Sequence, residues 1–189
     1  DYYASRGLGD VYKRQVIGVD VNPSVVETIN QGKIHIVEPE LGQVVRDVVQ
    51  KGKLRAVCKP EAADAFFIVV PTPFKQNHRA DITYVEAATR SVIPYLQEGN
   101  LFVIESTSPV YTTERMAEVI YKERPELKGK IHIAYCPERV LPGNTLYELV
   151  HNDRVIGGID PASTEKAIEF YSCLLYTSRA HETRSNLVC

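Results

Sequence analysis

The sequence predicts an α/β fold: a doubly wound parallel sheet with helices on both faces. Three observations predict it. Short apolar runs alternate with longer amphipathic stretches along the chain, the pattern of strands joined by helical crossovers. Ala65–Val70 is apolar without a break, as a strand covered on both faces must be. Several strands also end in polar turns stiffened by proline, and strand ends are where open α/β sheets keep their ligands.

Each element has its own signal. Gln15–Val21 reads as a strand closed by Asp20. Pro23–Gln31 places Val25, Val26 and Ile29 on one face and stops at Gly32, a helix with a C-terminal glycine. Leu41–Val49 spaces Leu41, Val44, Val45 and Val48 at helical period and stops before Gly52. Leu54–Cys58 is a short strand and Ala65–Val70 a buried one. Thr83–Leu96 reads as a helix with Pro94 near its end, Leu101–Glu105 as another buried strand, and Thr112–Glu123 as a helix. Ile131–Tyr135 and Val155–Gly157 are strands, and Ser163–Tyr171 is a helix. No internal repeat or low-complexity linker interrupts them.

Both ends of the chain are set aside. Residues 1–15 resemble a translated sequencing adapter: Asp10–Gln15 is what a tagmentation transposon end encodes, and Cys173–Ser178 is encoded by its reverse complement. Tyr2-Tyr3-Ala4 and Thr183-Arg184-Ser185-Asn186 can be written by one index and its reverse complement. Such scars are excluded from fold reasoning, so 1–15 and 173–189 are expected to be non-native and 16–172 to form one domain-sized segment. Gly7-Leu8-Gly9, half of a dinucleotide fingerprint, then reads as an accident of adapter sequence.

The chain has a formal net charge of −2 at pH 7, more acidic still once the ends are discounted. That gives no electrostatic reason to expect nucleic acid or an anionic membrane as partner. No apolar run approaches the roughly 18–20 residues of a membrane helix. Cys58 and Cys136 remain, too few and too far apart for a zinc site and consistent with a reducing cytoplasm.

The densest cluster of chemistry is Tyr135-Cys136-Pro137-Glu138-Arg139-Val140-Leu141-Pro142-Gly143. Two prolines stiffen this loop, which holds Glu138 and Arg139 at a strand end. A surface ion pair in a turn is the rival reading. Asp20 ends its strand where a dinucleotide fold places the acid that meets the adenosine ribose; a helix N-terminal carboxylate before Pro23 is the alternative. Val70-Pro71-Thr72-Pro73 and Glu105-Ser106-Thr107-Ser108-Pro109 put hydroxyls on rigid turns at two more strand ends, with turn or cap duty as the rival for each.

With Val16–Asp20, Ile34–Pro39, Val70–Lys75, Asp81–Glu86, Glu105–Val110, Tyr135–Gly143 and Asn152–Gly158 in order, the chain resembles the UDP-glucose/GDP-mannose dehydrogenase family, and within it the enzymes acting on UDP-N-acetylmannosamine. The resemblance runs from Val16 to about Phe170. It implies a Rossmann-like domain in a cytoplasmic, homodimeric or larger enzyme. Such an enzyme oxidises C6 of a UDP-sugar to the carboxylate with two NAD. By that resemblance Asp20 would hold the adenosine ribose, Thr72 would sit against the cofactor, and Thr113 would meet its diphosphate or nicotinamide side. Thr107 would orient a water at the reacting carbon, and Glu138 would be the acid/base partner for hydrolysis of a thioester intermediate, its pKa raised toward neutrality. Arg139, Val140 and Leu141 would line the sugar-nucleotide pocket. Cys136 reads as a buried small residue rather than a nucleophile.

The sequence also departs from the family. The first strand and its Gly-x-Gly-x-x-Gly turn are replaced by adapter, so the sheet is expected to be incomplete. The family's catalytic lysine, asparagine and cysteine and its UDP-binding domain have no counterpart, so this polypeptide alone is expected to show no turnover. Tyr111 stands where the family carries glycine. Pro142 stands where the UDP-glucose branch carries a second glutamate, which favours an amino-sugar substrate. A non-catalytic nucleotide-binding module is the alternative reading; the reading frame beyond the adapters would separate the two.

Overall fold

The computed structural model describes residues 15–34, 41–74, 80–140, 143, 147–148, 151–172 and 181–182. The chain divides into two compact units. One takes Asp1–Pro60, Val140–Asn152 and Cys173–Thr177, the other Glu61–Arg139, Asp153–Ser172 and Ser178–Cys189.

In the first unit, β1 (Val16–Val19) and β2 (Leu54–Val57) form a parallel pair with Gly18 opposite Ala56. Between them in sequence run α1 (Pro23–Asn30) and α2 (Leu41–Gln50). Helix α1 starts where local chemistry directs. The Asn22 side chain accepts from Ser24 N–H at 3.0 Å, and Pro23, with no N–H to leave orphaned, follows it. The helix stops before Gly32, at φ 68°. A Cβ there would lie 3.2 Å from Arg46 Cα, so glycine both turns the chain and lets α2 approach. The Asn30 amide accepts from Ala56 N–H (2.7 Å) and donates to Ala56 C=O (2.9 Å). It thereby caps β2 on the side the β1 ladder leaves unused.

In the second unit, β3 (Ala65–Ile68), β4 (Leu101–Ile104) and β5 (His132–Tyr135) are parallel neighbours. β6 (Val155–Gly158) pairs antiparallel with β5, and β7 (His181–Glu182) pairs parallel with β6. Among its described residues this unit carries α3 (Thr83–Val92), α4 (Thr112–Glu123) and α5 (Pro161–Ser172). All four residues of β4 are buried, and its two faces keep different company. Phe102 and Ile104 pack with Phe66, Ile68 and Ile133 against Val85 of α3 and Met116 and Ile120 of α4. Leu101 and Val103 pack with Ala134 and Ile156 against Ala167 and Tyr171 of α5. Fully burying each large apolar side chain contributes about 1.5–3 kcal/mol, so this strand anchors the unit. The unbroken apolar runs are explained by cover on both faces.

Two features differ from expectation. Pro94, which cannot donate to a carbonyl four residues back, converts the end of the predicted Thr83–Leu96 helix into a 3-10 turn, Ile93–Tyr95. The sheet is not parallel throughout, because β6 runs antiparallel to β5. A parallel return would need a crossover connection; the chain instead returns with β6 alongside β5 in the opposite direction. The strands also fall into two sheets, β1-β2 and β3-β4-β5-β6-β7. Among the described residues no strand pairs with the second edge of β1 or of β3. Strand β7 lies within the stretch read as adapter-derived. No helix among the described residues is long and apolar enough to cross a membrane.

Candidate active site

The parallel order β3-β4-β5 brings three strand ends to one edge of the second unit's sheet. Backbone bonds carry the ladder past the strands: Glu105 N–H donates to Ile68 C=O, Cys136 N–H to Ile104 C=O and Glu138 N–H to Glu105 C=O, at 3.0–3.1 Å. The buried Ser106 hydroxyl accepts from Val70 N–H at 2.7 Å and donates to Ile68 C=O at 3.2 Å. This staple fixes the turn carrying Thr72 to the turn carrying Thr107. Thr72 is half-buried and Thr107 exposed. Helix α4 leaves the same edge after Pro109, with the half-buried Thr113 in its first turn.

Tyr111 precedes that helix at φ 67°, the one non-glycine residue with positive φ among those described, and no side chain caps the helix. The sequence singles out this position as one where glycine is usual. The left-handed backbone is the physical reason, since a side chain there crowds the following carbonyl.

At the end of β5, both oxygens of the Glu138 carboxylate are engaged. Oε1 accepts from Arg139 N–H at 2.7 Å. Oε2 faces Arg154, whose Nη1 and Nη2 each lie 3.5 Å away. The adjacent Arg139 contributes its backbone, and the guanidinium that meets the carboxylate comes from the start of β6. Arg154 also reaches Glu105, Nη1 to Oε1 at 4.0 Å, and lies over the Tyr171 ring at 5.2 Å. The Tyr171 hydroxyl donates a short hydrogen bond to Glu105 Oε1.

Burial sets the electrostatics of this cluster. It raises the pKa of Glu105 above the usual carboxylate range, against the opposing pull of Tyr171 and Arg154, while the Glu138 charge adds to the rise. It raises the thiol of Cys136, which is completely buried, again against Tyr171 and Arg154. A thiol so held is a packed residue and a poor nucleophile. For Arg154, burial opposes the charge, and the neighbouring Glu138 and Cys136 outweigh it to hold the pKa above the ordinary value.

Of the residues the sequence singles out, Thr72, Thr107, Thr113 and Glu138 share this edge, and Arg139 follows Glu138 there. Asp20 belongs to the first unit. It is half-buried just beyond β1, with Oδ1 accepting from Asn22 N–H at 2.8 Å. The side-chain cap of α1 is Asn22, and the Asp20 carboxylate accepts from the backbone N–H of that same residue. Val140 falls in the first unit, and Leu141 lies outside the described residues. Sequence reasoning gives no role to Glu105, Arg154 or Tyr171. The available signals were faint: an acid closing the buried run of β4, and a charged residue directly before β6.

Comparison with known proteins shows the family. Residues 6–175 match the NAD binding domain of the UDP-glucose/GDP-mannose dehydrogenase family, a match that begins inside the stretch read as adapter. UDP-N-acetyl-D-mannosamine dehydrogenase of Yersinia pestis is 50% identical over 184 residues, covering 90% of this chain and 44% of that protein. NDP-N-acetyl-D-galactosaminuronic acid dehydrogenase of Ralstonia nicotianae is 48% identical over the same span and coverage. Among solved structures, UDP-N-acetyl-mannosamine dehydrogenase from Staphylococcus aureus superposes with a TM-score of 0.87 at 34% identity, over 97% of this chain and 45% of that one. The chain thus spans less than half the length of these relatives. It belongs to the UDP-glucose/GDP-mannose dehydrogenase family and carries that family's NAD-binding domain.

Proposed function

We propose that this chain is the cofactor-binding part of a longer UDP-sugar 6-dehydrogenase, cytoplasmic and homo-oligomeric, which oxidises UDP-N-acetylmannosamine or a related UDP-hexosamine to the uronate. Segments 1–15 and 173–189 are not part of the natural protein in this reading. In the parent, a further strand and its glycine-rich turn would precede β1 in sequence. Among the described residues no strand pairs with the second edge of β1, which supports this.

The observation that carries the reading is the Glu138 carboxylate, held between Arg139 N–H and Arg154 at a strand end. NAD, when bound, accepts the hydride that leaves the sugar carbon. The residues present fit it. Asp20 offers acceptor oxygens for ribose hydroxyls. Helix α4 begins without a side-chain cap, and the start of a helix favours an anion. Thr113 and Thr72 would border the cofactor there. Thr107 would orient the hydrolytic water, Glu138 would take its proton, and Arg139, Val140 and Leu141 would line the sugar-nucleotide pocket.

The test is Glu138→Gln in the complete enzyme. Loss of a positioned base lowers the rate by about 10²–10⁴-fold. That loss is expected in the hydrolytic half of the reaction, with NAD affinity retained. A collapse of NAD affinity, or an unchanged hydrolytic rate, would remove Glu138 from this role.

A further inference from the structure

Arg154 is the most buried charged side chain of the cluster, 11% exposed against 17% for Glu105 and 38% for Glu138. A buried guanidinium is costly unless well paired, and this one lies beside the Cys136 thiol and between two carboxylates that it meets at long range. Its contacts to the two carboxylates are 3.5 and 4.0 Å, longer than a well-formed bidentate bridge. Its Nε is buried with no hydrogen-bond partner among the described residues.

The surroundings show what constrains it. Glu105 is anchored at the end of β4 by the Tyr171 hydroxyl. The Tyr171 ring lies beneath the guanidinium, itself packed edge-on against Phe67. One side of Arg154 is therefore fixed by a buried acid and an aromatic face. Its other side meets the more exposed carboxylate, Glu138. A guanidinium suits this task because its planar fork offers separate donors to two acceptors, whereas an ammonium is a single point charge.

We infer that Arg154 is a positioning residue for Glu138: braced by Glu105 and Tyr171, it sets the direction in which the Glu138 carboxylate faces the reacting water. The inference rests on the acid/base reading of Glu138 and adds the device that aims it. Aim matters because a displacement of about 1 Å in a reacting group costs on the order of 10²-fold in rate.

A double-mutant cycle in the complete enzyme tests it, with the parent, R154K, E138Q and R154K/E138Q compared. Three quantities are read: the first-turnover rate of NAD reduction, the turnover rate limited by hydrolysis, and the dissociation constant for NAD. The expected result is that R154K slows hydrolysis by roughly tenfold to a hundredfold. First-turnover reduction, KM for the sugar nucleotide and NAD affinity should stay within about twofold, and R154K should have almost no further effect once Glu138 is Gln. An equal loss with and without Glu138 would overturn the inference while leaving the Glu138 reading intact. If E138Q leaves hydrolysis unchanged, that reading fails first and takes the inference with it. Y171F covers the case in which R154K does not fold. It keeps the ring beneath the guanidinium and removes only the hydroxyl that anchors Glu105. It should slow the same step, by less, and only when Glu138 is present; an effect equal in both backgrounds would again overturn the inference.

Discussion

Tyr111 holds a left-handed backbone that costs an L-residue about 1–2 kcal/mol and glycine almost nothing. Its side chain is 71% exposed, so packing returns little in exchange. Tyr111→Gly should therefore raise the stability of the second unit by about 0.5–1 kcal/mol, after allowing for the larger entropy glycine gives the unfolded chain. The urea midpoint of the tyrosine or near-ultraviolet signal reports it; an unchanged or lower midpoint would mean the exposed ring contributes more than its contacts suggest. Single residues were legible in the sequence where backbone chemistry restricts the choice. Tyr111 stood out for want of a glycine, and Glu138 because two prolines fix its loop. Arg154 was not legible, because its place depends on three segments ending at Glu105, Glu138 and Tyr171, which only the fold brings together. Cys136 was read correctly as packed, since a small apolar residue after a buried strand has few other places to go.

At the scale of elements, helices and strands lie close to their predicted spans, and α4 coincides with Thr112–Glu123. The start of α5 was missed by two residues. Asp160 accepts from Ser163 N–H at 2.7 Å and Pro161 opens the helix, an Asp-Pro start that the apolar period alone does not mark. The direction of β6 was invisible for a different reason: four apolar and glycine residues carry no information on which way a strand runs. Its pair of glycines does carry a packing constraint. A Cβ on Gly158 would lie 2.4 Å from Thr164 N and 2.8 Å from Asp160 O and Ser163 C. All three are backbone atoms at the start of α5, which cannot move without leaving the sheet. Gly158→Ala should cost the second unit about 3 kcal/mol or more, read as a fall in its unfolding midpoint. A loss below about 1 kcal/mol would show that α5 can shift along β6 freely.

For the whole molecule, the two units differ in how much they bury. In the second, Phe102, Val103, Ile104, Ile133, Met116 and Ile120 are completely removed from water. Among the described residues of the first, Ala56 is the one buried apolar side chain, and α1 and α2 contain none. A two-stranded sheet with so little beneath it is marginal in water. Amide hydrogens of β1 and β2 should exchange roughly 10²-fold faster than those of β4 and β5, whose opening requires disruption of the central core. Mass spectrometry of exchanged peptides measures this directly. Equal protection in the two sheets would show that they open as a single cooperative block. The sequence revealed the alternation of elements but not this inequality, because an apolar stripe on a helix records what could be buried rather than whether a partner surface is present.

The clamp between Asn30 and Ala56 has a consequence for how such a chain meets its own kind. By occupying both hydrogen-bonding positions of Ala56, that amide denies a template to any incoming extended segment along that flank. Lateral growth of the small sheet is thereby made one-directional, and unwanted stacking of copies would have to begin from the flank beside Ile17 and Val19.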